Sequence, residues 1–210
     1  HGKIYEAAAA LMFNVPIESI GHGSPERGKG KIAELALGYQ GGVNALKQMG
    51  GERMGLTEPE MKYLVDKWRD ANPNIVKYWY ALDNAAKRAV FHKESTRVGP
   101  VLVGYENNYM YIRLPSGRKL YYNNATDTMN QWGQKCIKFM GITDTGAYGW
   151  VDTYGCKLTE NVTQAIARDI LAIAMLRLHK AGYKIVMHVH DEAIAEVPLD
   201  SSDLTLEKMC

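Results

Sequence analysis

Residues 96–122 change the hydrophobic period of the chain, and that change decides what it can fold into. Upstream, "LTEPEMKYLVDKWRDAN" and "PNIVKYWYALDNAAKRAVFH" place apolar residues at helical spacing. The first opens on Thr57 with Glu60 at the capping-box position; the second has Pro73 in its first turn. Then "VGPVLVGYENNYMYIRLPSGRKLYY" alternates, is rich in β-branched and aromatic residues and turns at Pro-Ser-Gly, which predicts two or three antiparallel strands. "TGAYGWVDTYGCKL" predicts another strand region. "TENVTQAIARDILAIAMLRLHKAG" returns to the helical period over about 159–181. Thr159 caps it, Ile166, Ile170, Ile173 and Leu176 stripe it, and Gly182 ends it. "YKIVMHVHDEAIAEVP" predicts a β-hairpin over about 184–197. Before all of this, residues 3–13 form an Ala-rich helix, a long helix runs from Pro25 to about Gly41-Gly42, and "VNALKQMG" gives a short one. The expected class is mixed α/β (α+β).

Composition narrows the function classes. At 210 residues, 46% hydrophobic and 23% charged, the chain reads as globular. No apolar run approaches the ~20 residues of a membrane helix. Cys136, Cys156 and Cys210 are too few and too widely spaced for a disulfide framework or a zinc knuckle, which points to a reducing compartment, the cytoplasm. "HGKIYEAAAALMF" lacks the pattern of a signal peptide. A net charge of +2 neither demands nor excludes nucleic acid. The start at His1 and the short helix "DLTLEKMC" suggest an internal piece of a longer protein.

Two stretches carry candidate chemistry. Gly23 to Lys29 fits seven positions of a phosphate-cradling P-loop, but Gly30 replaces the Mg²⁺-binding hydroxyl and Pro25 removes a backbone donor. The helix is the better reading. Arg27, Lys31, Leu35 and Tyr39 recur every fourth residue and share one broad face. Arg27 and Lys31 lie roughly 6 Å apart along the axis, near the helix N-terminus, where dipole and free N–H groups favour an anion. Leu35 and Tyr39 offer an apolar platform and a ring for a base or sugar. A solvated basic first turn over a buried Leu and Tyr is the competing account.

The second stretch is the hairpin tip. Alternation puts Met187 and Val189 on one face and Val186, His188 and His190 on the other, with Asp191 and Glu192 at the turn, partly desolvated between apolar strands. A carboxylate so placed suits an oxygen ligand for Mg²⁺. An ordinary polar turn competes. So does a zinc site built on His188, His190 and Asp191, although His1, His22, His92 and His179 form no ligand-spaced pair.

Taken together, these stretches resemble the family A DNA polymerases, the DNA polymerase I family, in their phage and virus branch. R-x3-K-x3-L-x3-Y (Arg27, Lys31, Leu35, Tyr39) is similar to motif B, and V-H-D-E (Val189 to Glu192) to motif C. "ENVTQAIARDILAIAMLRL" resembles the helix bearing the primer-template Gln, and "YEAAAALMFNVP" the helix before motif B. The resemblance implies mostly helical fingers with a small antiparallel strand region over 1–155, with the nucleotide-binding helix at about 25–41. It implies part of the palm, truncated at both ends, over 156–210. Arg27 and Lys31 would bind the triphosphate of the incoming dNTP, with Lys31 a proton donor to the leaving pyrophosphate. Leu35 would pack on sugar and base, and Tyr39 at the template position. Tyr5 stands where some relatives place a phosphate-binding His. Asp191 would bind the catalytic metals, two Mg²⁺ ions in the complete enzyme, supported by Glu192. His190 and Gln164 would touch the primer-template minor groove, and Arg168 and Arg118 its backbone.

The implied reaction is template-directed addition of dNTPs to a primer 3′-hydroxyl by a two-metal displacement, with the basic helix closing on a correct pair. Leu35 replaces the family's usual Phe or Tyr, and Gln40 its Gly. Motif A, D-[YF]-S-x-[IL]-E, which supplies the second metal-binding Asp, is absent from the chain. The 210 residues alone are therefore expected to be inactive. The rival from another class is a non-catalytic nucleotide- or DNA-binding module.

Overall fold

The computed structural model describes residues 3–130, 133–199, 201 and 203–209; His1 and Cys210 lie outside them. Helices α1 (Ile4–Phe13), α2 (Pro25–Leu37), α3 (Val43–Gln48) and α4 (Glu58–Ala71) form a helical body. Helix α5 (Pro73–His92) leads from it into a sheet, β1 (Thr96–Val98), β2 (Val101–Glu106), β3 (Tyr109–Arg113), β4 (Lys119–Met129), β5 (Lys135–Ile142) and β6 (Tyr148–Thr153). These six strands form an antiparallel meander in sequence order. Helix α6 (Gly155–Lys180), a hairpin of β7 (Lys184–Val189) and β8 (Glu192–Glu196), and a short α7 (Leu206–Met209) follow. No helix among the described residues is long and apolar enough to cross a membrane.

Two cores meet along α5. Its Trp79 is buried with Met12, Leu37, Leu46, Met61 and Trp68 among the helices. Trp68 and Trp79 stack with ring centroids 5.9 Å apart and planes 6° from parallel. One turn on, Leu82, Ala85, Ala86, Ala89 and Val90 cover the inner face of the sheet, against Val101, Val103, Met110, Ile112 and Ile137. Each such large side chain contributes about 1.5–3 kcal/mol through burial. The expected capping box of α4 is formed, with the Thr57 N–H and hydroxyl both donating to Glu60 Oε2 at 2.7 and 2.6 Å.

The structure corrects several sequence expectations. The strand region is a full six-stranded sheet, not two or three strands and one more. β4 continues through "NNATD" by shifting register between Asn123 and Thr126, and Asn124 adopts a positive φ of 50° there. α2 ends at Leu37 rather than near Gly41. α6 begins at Gly155, so Thr159 lies inside it and donates its hydroxyl to the Gly155 carbonyl at 2.8 Å. The stripe on α6 divides: Ile166 packs on the core, whereas Ile170, Ile173 and Leu176 are exposed.

The early start of α6 has a tertiary cause. A Cβ at Gly155 would collide with the Trp79 carbonyl, so only glycine lets the helix approach α5 there. The Gly155 N–H donates to Asp83 Oδ1 of α5 at 3.1 Å, capping α6 from another helix. Replacing Asp83 with Ala should lower stability by about 1–2 kcal/mol, the usual worth of a lost N-cap. Urea unfolding would read this, and an unchanged midpoint would mean that α6 needs no cap from α5.

Candidate functional site

The first turn of α2 is built for a fixed geometry. Ser24 caps it by accepting the Arg27 N–H at 3.2 Å, and Pro25 takes the first helical position. Gly30 is buried at the crossing with α1, where a Cβ would strike the Tyr5 carbonyl and come within 2.9 Å of Ala9 Cβ. This close approach brings Tyr5 and Glu6 of α1 beside the cations of α2. Arg27 Cζ lies 5.3 Å and Lys31 Nζ 5.9 Å from the Tyr5 ring centroid, both within cation–π range. Arg27 Nε also donates to Glu6 Oε1 at 2.6 Å. The Glu6 carboxyl is buried, yet Arg27 and its own backbone hold it below the usual carboxylate range. Lys31 is exposed.

The same Tyr5 lines a cleft of about 630 Å³, with Leu35 and Tyr39 and with Ile4, Glu34, Gly38, Asn74, Ile75, Tyr78, Thr159 and Thr163. Its far end is braced from behind. The Trp68 indole donates to Glu34 Oε1 at 3.0 Å and the Trp79 indole to the Gly38 carbonyl at 3.1 Å. Burial pushes the Glu34 carboxyl up, against the opposing Trp68 hydrogen bond. Tyr39 sits in the turn after α2 rather than on its face, but still reaches the cleft that Leu35 lines, and Leu35 is 48% exposed. Cations gathered on Tyr5 beside a largely apolar cleft with aromatic lining suit a ligand with an anionic end and a flat end.

Helix α6 divides this cleft from a second groove of about 470 Å³, lined by Arg118, Gln164 and Arg168 with Leu120, Tyr121, Tyr122, Phe139, Asn161 and Ala165. Thr159 and Thr163 face the cleft, while Asn161, Gln164 and Arg168 face the groove. Three of the four residues expected to touch primer-template are thus brought together. Their commitments differ. Arg118 Nε donates to Asp169 Oδ1 at 2.8 Å and its Nη2 to the Ala165 carbonyl at 3.0 Å, fastening the β3–β4 turn to α6. Ser116 and Arg118 hold the Asp169 carboxyl low. Gln164 makes a local bond to Glu160 at 3.2 Å, and Arg168 is exposed. Burial raises the Tyr122 phenol to about 12 despite a hydrogen bond from the Asn161 amide.

The fourth, His190, lies on the hairpin with Asp191 and Glu192. Val189 pairs with Glu192, so the two-residue turn is His190-Asp191 rather than Asp191-Glu192. His190 takes φ 51°, leaving the strand in which alternation had placed it. Val186 is the extra residue where the register shifts between Ile185 and Met187. Asp191 and Glu192 are exposed, not partly desolvated, because the strands beside them are themselves exposed. Among the described residues no group of three or more His, Cys, Asp or Glu side chains is placed to hold a metal ion.

Sequence reasoning missed Glu6 and Glu34. The available signal for Glu6 was a lone charge inside the apolar run "IYEAAAALMF".

No family profile matches the chain, and no solved structure does. Over 206 residues, 97% of its length, it is 50% identical to a DNA polymerase of Bacillus phage SP02. Over 181 residues, 85% of its length, it is 24% identical to a DNA polymerase of Mycobacterium phage D29. The chain spans 32% and 21% of those two proteins. It is therefore similar to one segment of each phage DNA polymerase.

Proposed function

We propose that the chain is the nucleotide- and DNA-contacting segment of a phage DNA-directed DNA polymerase of the family A type. Residues 1–155 would be its fingers and 156–210 part of its palm. The observation that carries the reading is the gathering of Arg27 and Lys31 around Tyr5, a ring that also lines the cleft shared by Leu35 and Tyr39. The likeness to the two phage polymerases supports it.

In this reading Arg27 and Lys31 bind the dNTP triphosphate, Leu35 meets the sugar, and Tyr39 faces the new pair. Lys31 carries no ion pair among the described residues, so its ammonium is available to give a proton to the leaving pyrophosphate. Gln164 and Arg168 face primer-template DNA from the α6 groove, and His190 from the hairpin. Asp191 fits a Mg²⁺ ligand as an exposed carboxylate in the hairpin turn. Mg²⁺ takes one or two carboxylates and fills its shell with water and phosphate. When bound, two such ions supply activation of the primer 3′-hydroxyl and charge stabilisation of the leaving oxygen. A second carboxylate must come from elsewhere in the polymerase, so the segment alone is inactive.

Lys31→Ala tests the reading. In the full-length protein it should raise the dNTP KM about 10- to 100-fold and lower kcat, with primer-template affinity changed less than about twofold; Lys31→Arg should recover most of the KM but not kcat, because a guanidinium does not give up its proton. A defect confined to DNA binding would remove Lys31 from the triphosphate. The exposed, isolated Asp191 is what a non-catalytic nucleotide-binding module would also present, so that residue separates the two readings.

A further inference from the structure

Glu6 is 6% exposed, and it points at the head of a helix assigned to binding an anion. A buried negative charge there weakens the local positive potential, so its presence needs a reason. Its bond to Arg27 supplies one. Arginine offers donors along a planar fork, and a carboxylate that served packing alone would usually take two of them side by side. Here a single bond is made, from Arg27 Nε to Glu6 Oε1. Glu6 Oε2 is buried with no hydrogen-bond partner, and neither Arg27 Nη donates to a described residue. The guanidinium is therefore gripped at its inner nitrogen, lies over the Tyr5 ring, and keeps its outer donors uncommitted.

We infer that Glu6 is a positioning residue, which fixes the Arg27 guanidinium by its Nε so that both Nη groups are presented to the nucleotide's phosphates. The inference rests on the nucleotide-binding reading of α2. Its physical content is preorganisation: a free arginine loses rotamer freedom on binding, and one already held does not. Tyr5 acts with it, since the same ring gathers Lys31.

The sign of the effect separates positioning from plain electrostatics. If Glu6 acted only through its charge, removing it would strengthen phosphate binding and lower the dNTP KM. Positioning requires the opposite. In single-nucleotide incorporation by the full-length protein, Glu6→Ala is expected to raise the dNTP KM about tenfold, with kcat within about twofold. Glu6→Gln, which keeps an oxygen acceptor for Nε, should recover most of that. The double variant Glu6→Ala with Arg27→Ala should be no worse than Arg27→Ala alone, because Glu6 acts through Arg27. Alanine is the best helix former, so α1 persists in the variant, and a thermal melt checks that it does. A fall in KM, an unchanged KM, or full additivity with Arg27→Ala overturns the inference. An unchanged KM in Arg27→Ala itself contradicts the nucleotide reading, and the inference falls with it.

Discussion

Asp191→Ala in the full-length protein should lower templated nucleotide addition by at least about a thousandfold, or ~4 kcal/mol of transition-state stabilisation. Primer-template affinity should stay within about twofold and the melting temperature should not move. The separation is expected from the position of the residue. Asp191 occupies an exposed two-residue turn, with backbone pairing completed by Val189 and Glu192 on either side. Its carboxylate supports no ion pair or hydrogen bond among the described residues, so its removal breaks nothing structural. Glu192→Ala should cost less, since Glu192 is already within β8 rather than in the turn. Extension that survives Asp191→Ala within about tenfold would take the metal site away from the hairpin and favour a non-catalytic module.

Gly30→Ala should destabilise the protein by about 2 kcal/mol and raise the dNTP KM roughly tenfold. In an exposed helix interior the same change is favourable by about 1 kcal/mol. At Gly30 the new Cβ meets the Tyr5 carbonyl and Ala9 Cβ and backbone N, the last two at 2.9 Å. These belong to the body of a packed helix and cannot swing aside, so the overpacking penalty of about 1–3 kcal/mol dominates. Separating α1 from α2 also moves Tyr5 and Glu6 away from Arg27 and Lys31, which is why binding should suffer with stability. Gly28 provides the control. It lies on the same helix, and a Cβ added there would meet nothing within 4 Å, so Gly28→Ala should stabilise by about 0.5–1 kcal/mol. If both alanines stabilise alike in urea unfolding, close packing of α1 on α2 does not shape the site.

Local rules made much of this legible beforehand. The capping box of Thr57 and Glu60 spans three residues and needs no tertiary partner, and it appears as expected. The hairpin followed from two apolar runs around a polar tip. What failed was set by distant parts of the chain. The start of α6 depends on Asp83, 72 residues before Gly155 in sequence. The polar stretch "NNATD" carries no strand pattern, and it stays in β4 only because a register shift lets β5 pair with it. Of the site, the α2 cations were visible as a spacing. Glu6 was not, because its pairing with Arg27 exists only once α1 packs across Gly30. Tyr39 reached the expected cleft by a different route, from the turn after the helix.

If Asp191 is one of two carboxylates in a polymerase active site, the family A resemblance puts the other in a motif A ahead of His1. Sequencing the native reading frame there decides the matter. An in-frame D-[YF]-S-x-[IL]-E within the preceding few dozen residues is expected, supplying the second metal-binding Asp. A start codon shortly before His1, with no such Asp, would leave Asp191 as a lone ligand and refute the two-carboxylate site.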